Sequence, residues 1–473
     1  MRQFKRIVAS RRGPAIAACA LALLAGVAAG PASSQERADA NAAEANAKGD
    51  TVKRIIPYPA DVTVLDNGLK VILMPMPSNG LVAYWTIVRT GSRDEYERGR
   101  SGFAHFFEHM MFRGTERYPA DVYQRIITEI GANANAFTTD DLTAYHISVA
   151  AEDLDKVVDI ESDRFKNLAY TEPAFKTEAG AVYGEYRKSR TDPLFTLYEK
   201  LLATAFERHP YGHTTLGYEA DIAAMPTLYD YSREFFARYY RPENTVLFIA
   251  GDIDESKVLE SIKAHYGDWK PGYVPPTIPA EPPQHGERHV DVTYDGQTLP
   301  ILWVSYKLDR FDPQNGTRVA ADLLADLAFG PTSDAYKRLV LDEQVVEFLE
   351  AGANQNRDPT LFDIYTRIKD PAKVDYVLGV IDETVDRYRR SPPDAKRLAD
   401  LKSREKYGFV MGLDTPEDVA QRLARFIAIS GGVEGAEALY EAYDKVTPAD
   451  VQAAAERYLD KERRTVGVLR SAQ

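Results

Sequence analysis

Six prolines crowd the stretch from Pro271 to Pro283: Pro271, Pro275, Pro276, Pro279, Pro282 and Pro283. Proline has no amide N–H and a fixed φ, so neither a helix nor a central strand runs through such a segment, which instead favours an extended linker. A chain of 473 residues is also too long for one compact core. We therefore divide it into an N-terminal domain over 56–270, a linker over 271–285 and a C-terminal domain over 286–473. The two sides end alike. Arg238-Tyr239-Tyr240 followed by Thr245-Val246-Leu247 echoes Arg457-Tyr458-Leu459 followed by Thr465-Val466-Gly467. In both places a helix runs through a short polar turn into an apolar strand. A separation of about 220 residues suggests a duplicated unit. The expected fold is α+β: two homologous domains, each a mainly antiparallel sheet covered by helices.

The first 34 residues differ from the rest. Arg2, Lys5, Arg6, Arg11 and Arg12 precede an apolar run from Ala15 to Ala29, and Ala32-Ser33-Ser34 offers small residues for cleavage. This is the pattern of a secretory signal peptide, and the run is shorter than the roughly 20 residues of a spanning helix. Residues 35–55 have no periodic apolar pattern and read as a flexible lead-in. Cys19, the only cysteine, lies in the leader, so the mature chain is expected to have no thiol and no disulfide, and the shortness of the apolar run leads to the expectation of no stable membrane anchor. Losing the leader's five positive charges takes the net charge from -13 to -18. Such a balance argues against nucleic acid as a partner.

Folded structure is expected to begin near Asp61. Val62 and Val64, the turn Asp66-Asn67-Gly68, then Leu69, Val71 and Leu73 spell a hairpin, and residues 81–89 a further strand. Ser101 is a candidate cap for the next helix. After it, Phe103, Phe106, Phe107, Met110 and Met111 fall on one apolar face, with His105, Glu108 and His109 opposite. Histidines at i and i+4 can converge on one zinc ion, and a glutamate beside it can take a proton from zinc-activated water. A solvated face with two histidines and an acid would look the same until a third ligand is found. That ligand is sought on a helix from about Glu172 to Lys188, opened by Pro173. There Glu178 and Glu185 share a stripe with Phe175, Ala181, Val182 and Tyr186. Buried carboxylates need something positive, which a metal or a structural ion pair would supply.

His105-Phe106-Phe107-Glu108-His109, with Glu185 following and Glu178 seven residues before it, resembles the inverted zinc motif of the pitrilysin, insulinase and mitochondrial processing peptidase family. Gly131-Ala132-Asn133-Ala134-Asn135-Ala136-Phe137-Thr138, Asp141-Leu142-Thr143-Ala144-Tyr145 and His209-Pro210-Tyr211-Gly212 add to the resemblance. The likeness runs over about residues 60 to 470, is specific in the first half, and points to the short, half-clamshell bacterial members. It implies zinc, one ion per chain, on His105, His109 and Glu185, with Glu108 as general base and Glu178 in support of the site.

Asn133, Ala134, Asn135, Ala136, Phe137 and Thr138 form an extended segment with small side chains on one face. Such an edge can take up a peptide as an added strand, and the resemblance favours that role over a plain connection. His146, His209 and His213 are read as structural. The family's arginine and tyrosine, a few residues apart in the second half, find only Arg338 here; no tyrosine follows closely. Together with the half length, this leads to the expectation of a homologous subunit that supplies the pair, more as a heterodimer than a homodimer. The function expected is periplasmic zinc-dependent endoproteolysis of unfolded peptides or peptide segments in a shared chamber. The alternatives are a non-catalytic core or binding subunit and a zinc hydrolase of non-peptide amides.

Overall fold

The computed structural model describes residues 54–472; the leader read over 1–34 and nearly all of the lead-in over 35–55 lie outside the described residues. Residues from Tyr58 onward form one compact unit. No helix among the described residues is long and apolar enough to cross a membrane.

The first sheet contains β1 (Asp61–Val64), β2 (Lys70–Pro75), β3 (Leu81–Val88), β4 (Asn133–Thr138), β5 (Thr143–Ala150) and β6 (Thr245–Gly251), in the order β1-β2-β6-β3-β5-β4. The second contains β7 (Arg288–Tyr294), β8 (Ile301–Leu308), β9 (Val346–Ala353), β10 (Thr360–Ile368) and β11 (Arg464–Ser471), in the order β7-β11-β8-β10-β9. With β1 set aside the two orders are the same. β6 runs parallel to β2 and antiparallel to β3, as β11 does with β7 and β8, and all other pairings are antiparallel. The fold is thus α+β, with two like domains. The echo around Arg238 and Arg457 marks the helices that feed the two equivalent strands β6 and β11. Between the sheets, 271–285 carries no helix or strand.

The hairpin read at Asp66-Asn67-Gly68 joins β1 and β2 in the register Val64 to Lys70. Gly68 has φ +89, a left-handed conformation that glycine adopts without steric cost. β6, TVLFIAG, is buried along its whole length, as its unbroken apolar run requires of a strand covered on both faces.

Each sheet is covered partly by a helix from the other half of the sequence. The helix Pro193–Ala205 packs on β7, β8 and β11. There Leu197 and Leu201 join Ile301, Trp303, Tyr365 and Leu469 in one apolar cluster. Both leucines are fully buried, each contributing about 1.5–3 kcal/mol. Reciprocally, the helix Pro416–Ser430 packs on β3 and β6. Arg89 Nε donates to Ala428 O (2.8 Å) and Lys70 Nζ to Gly431 O (2.7 Å), placing two cations at that helix's negative end.

The loop between β9 and β10 docks beside the turn that follows β4. Asn356 Nδ2 donates to Asp140 Oδ2 (3.2 Å) and the Arg357 amide to Asp141 Oδ2 (3.2 Å). Asp358 takes Arg93 Nε at 2.5 Å and lies 3.0 Å from His209 Nε2. The second half therefore braces the end of the first sheet's edge strand.

Candidate metal centre

The motif helix, Phe103–Met110, is buried on nearly every side. Phe107 stacks on Phe235 (5.5 Å, 6° between planes), and Phe106 meets Phe175 of the neighbouring helix edge-on (5.1 Å). Its start differs from the expectation at Ser101. The cap position is Gly102, in a left-handed conformation (φ +92) where a Cβ would stand 2.7 Å from Leu216 O. Ser101 Oγ instead donates to Asp221 Oδ2 (2.7 Å).

The second helix runs Glu172–Ser189, one residue beyond the expectation, with Thr171 capping and Pro173 in its first turn. Phe175, Glu178, Val182 and Tyr186 are buried as expected. Ala181 is exposed, and Ala179 takes its place against the core, because the packed stripe follows a slightly different rotation about the axis.

Together the two helices bring His105, His109 and Glu185 into one cluster, with their ligand atoms all within 4.8 Å of one another. Glu185 Oε2 lies 3.4 Å from His109 Nε2 and 3.8 Å from His105 Nε2. His109 turns its other nitrogen, Nδ1, to Glu178 Oε1 at 2.9 Å, and Glu178 is held in turn by Arg113, whose Nε donates at 2.6 Å. Burial alone would lower the pKa of His109, but its hydrogen bonds with Glu178 and Glu185 prevail and push it up to about 10. The hydrogen bond from His109, set against burial, holds Glu185 down to about 2. Burial works to raise Glu178, yet the bonds from His109 and Arg113 keep it below the usual range. His105 is lowered by burial.

These residues fit a divalent ion. Both ring nitrogens of His105 are buried without a hydrogen-bond partner, an arrangement that costs free energy unless a cation meets one of them. Nitrogen and oxygen ligands of tetrahedral zinc, at about 2.0–2.2 Å from the ion, stand about 3.3–3.6 Å apart. The separations of 3.4 and 3.8 Å fall close to that span. The carboxylate–histidine contact of Glu178 and His109 has the form of an outer contact that would fix a ligating imidazole.

Glu108 lies beside the cluster, its Oε2 3.9 Å from His105 Nε2 and accepting from Thr138 Oγ1 at 2.8 Å. Thr138 ends β4, the outermost strand of its sheet. Asn133 and Asn135 are exposed, Ala134 and Phe137 half-buried, and Ala136 and Thr138 buried. Asn135 and Ala136 line a cavity of about 360 Å³ with Glu108, His109, Phe112, Arg113 and Glu178. Within the segment the side-chain contacts divide: Thr138 faces Glu108, whereas Phe137 meets Trp85 edge-on (5.8 Å) on the sheet's other side.

His146, His209 and His213, expected to be structural, each have protein partners. His146 Nδ1 lies 2.8 Å from Glu417 Oε1 and its ring stacks on Trp85. His209 pairs with Asp358, and His213 Nδ1 donates to Thr214 O (2.9 Å). Only one cluster of metal-ligating side chains occurs among the described residues. No tyrosine follows Arg338 closely in the chain, and its guanidinium meets a distant one. Tyr376, 38 positions on, brings its hydroxyl to 2.9 Å from an Arg338 guanidinium nitrogen. Arg113, which holds Glu178, belongs to no spaced motif and was illegible in the sequence.

A duplicated α+β fold with a two-histidine, one-glutamate cluster in its first copy alone is the build of a metallopeptidase. The equivalent helix of the second copy, Gly316–Phe329, contains no histidine. Residues 70–219 match the model of insulinase (peptidase family M16), and residues 228–405 match that of the M16 inactive domain. The chain belongs to peptidase family M16. It is 29% identical over 378 residues to the zinc protease PqqE of Helicobacter pylori, covering 78% of this chain and 84% of that one. It is 32% identical over 213 residues to the beta subunit of the mouse mitochondrial-processing peptidase, covering 44% of this chain and 42% of that one. The crystal structure of a protease from Helicobacter pylori superposes with a TM-score of 0.82 at 25% identity, over 87% of this chain and 99% of that one. The first half of the periplasmic protease PqqL from Escherichia coli shares the fold (TM-score 0.71, 19% identity, 87% and 91% covered).

Proposed function

We propose that this chain is an exported zinc-dependent endopeptidase that cleaves unfolded peptides or peptide segments inside a chamber shared with a second, homologous subunit. The observation that carries the reading is the convergence of His105, His109 and Glu185 beside Glu108 and the free edge of β4. Zinc, one ion per chain on those three residues, would supply Lewis acidity to the scissile carbonyl and to water. Glu178 holds His109 in the tautomer that leaves Nε2 available. Glu108, steadied by Thr138, takes the proton of the attacking water and delivers it to the leaving amine. Asn133 to Thr138 receive the substrate backbone as an added strand, so that main-chain hydrogen bonds hold many sequences. A closed chamber excludes folded proteins.

Export rests on the leader pattern over 1–34 and accords with the periplasmic location named for PqqL. The second subunit is supported by length: the chain spans 48% of whole PqqL, that is, about one half of it. Metal analysis joined to a Glu108→Gln comparison on a mixed peptide library tests the proposal. About one zinc per chain, with cleavage reduced by roughly 10²–10⁴-fold in the variant, is expected. A pure chain without metal defeats it, and zinc without cleavage identifies a non-catalytic core subunit. A monomer fully active on peptides refutes the shared chamber.

A further inference from the structure

The amino end of the motif helix has no cap from its chain neighbours. Gly102 has no side chain, the first turn holds no acid, and the Ser101 hydroxyl is committed to Asp221. Glu95 reaches in instead from seven residues upstream. Its Oε2 accepts from the Gly102 amide (2.7 Å) and its Oε1 from the Ala104 amide (2.6 Å). The carboxylate is wholly buried, and the buried Nε2 of His213 lies 3.9 Å from Oε2. Burial pushes this carboxyl up to about 8, against the two amides that favour its ionised form. Gly102 cannot carry a capping side chain, because a Cβ there would stand 2.7 Å from Leu216 O, so the grip on these amides has to come from a distant residue.

The two candidate histidine ligands are oriented differently. Glu178 holds His109 through Nδ1. His105 has no hydrogen-bond partner on either nitrogen, so its ring can be placed only by packing and by the backbone that carries it. That backbone begins at the amides Glu95 grips, since Ala104 directly precedes His105. Toward the other end, Tyr145 donates to Phe107 O (3.0 Å). A slip of one residue along the axis is about 1.5 Å and a turn of about 100°. Either displacement would carry His105 Nε2 away from Glu185.

We propose, on the basis of the metal-site reading above, that Glu95 is a positioning residue for the metal centre: by gripping the Gly102 and Ala104 amides together it sets the height and rotation at which His105 faces Glu185.

The test is Glu95→Gln, whose amide offers one acceptor and one donor, so that one of the two backbone N–H groups faces a donor. Zinc affinity, measured by chelator competition on the full chain, is expected to fall about 10–100-fold, as for loss of an outer contact to a ligating residue. The visible spectrum of the cobalt(II)-loaded variant is expected to change in position or intensity. Asp221→Asn, which loosens Ser101 in the same loop without touching the helix amides, serves as the control for stability alone. Its zinc affinity and cobalt spectrum are expected to match wild type. If Glu95→Gln does not fold, Glu95→Asp keeps the carboxyl group but is too short to hold both amides, and the same loss is expected. Folded variants with wild-type zinc affinity and cobalt spectrum overturn the role of Glu95, as does an equal loss in Asp221→Asn. A wild-type chain that binds neither zinc nor cobalt defeats the metal-site reading itself.

Discussion

Thr138→Val separates the chemistry of Glu108 from the binding of metal. Valine has nearly the shape of threonine, so the edge strand keeps its packing and its backbone. What disappears is the 2.8 Å hydrogen bond from Oγ1 to Glu108 Oε2. Thr138 is 6% exposed and Glu108 8%, so water is poorly placed to replace the lost donor. A hydrogen bond to a charged group contributes about 1.5–3 kcal/mol. If the bond holds Glu108 where it must receive a proton, the loss appears in the transition state as a fall in kcat of about 10–100-fold. KM should change little, because the main chain of β4 is untouched, and zinc content should not change, because the Thr138 hydroxyl bonds to Glu108 and to none of the three candidate ligands. A quenched fluorogenic peptide gives kcat and KM, and metal analysis of the same preparation gives zinc. A kcat within about twofold of wild type would show that Thr138 does not position Glu108. A raised KM at unchanged kcat would assign Thr138 to the substrate edge instead.

Glu185→Gln, which removes the anionic member of the cluster, should lose most bound zinc while far-ultraviolet circular dichroism stays unchanged; retained stoichiometric zinc would reject Glu185 as a ligand. Gly467→Val tests the helix exchanged between halves, because a Cβ at Gly467 would stand 2.9 Å from Leu201 Cδ1 and 3.0 Å from Leu197 Cδ1. We expect a loss of about 1–3 kcal/mol in urea unfolding, and an unchanged midpoint would refute that contact. Asp358 gives a pH signature: burial pushes its carboxyl up, but hydrogen bonds with His209 and Arg93 prevail and hold it below the usual range. Its stabilisation is therefore present above the unfolded value of about 3.9 and is lost as pH falls through the lower folded one. Asp358→Asn should melt below wild type at pH 6, with a gap that narrows progressively as pH falls below about 4; a gap independent of pH would contradict this.

Much of the site was legible because it is local. The helical period alone puts His105, Glu108 and His109 on one face, and the apolar stripe around Phe175 and Val182 brings Glu178 and Glu185 inward. The hairpin at Gly68 and the register of β1 on β2 followed from turn chemistry. Errors arose where a partner distant in sequence outcompeted a local preference. Ser101 has the character of a cap, yet Asp221, 120 positions away, takes its hydroxyl and leaves the helix to Glu95.

The sequence by itself determined the elements and their chemistry: periodicity makes the helices amphipathic, unbroken apolar runs make the central strands, and histidines one turn apart can share an ion. Only the tertiary structure decided which helix covers which sheet. The amphipathic faces of Pro193–Ala205 and Pro416–Ser430 state that each needs an apolar partner without naming it, and both find that partner in the opposite half. Only the fold, likewise, brought Glu185, Thr138 and Glu95 to the motif helix. Those contacts span long loops, and the order of chain closure and packing that selects them has no counterpart in local residue spacing.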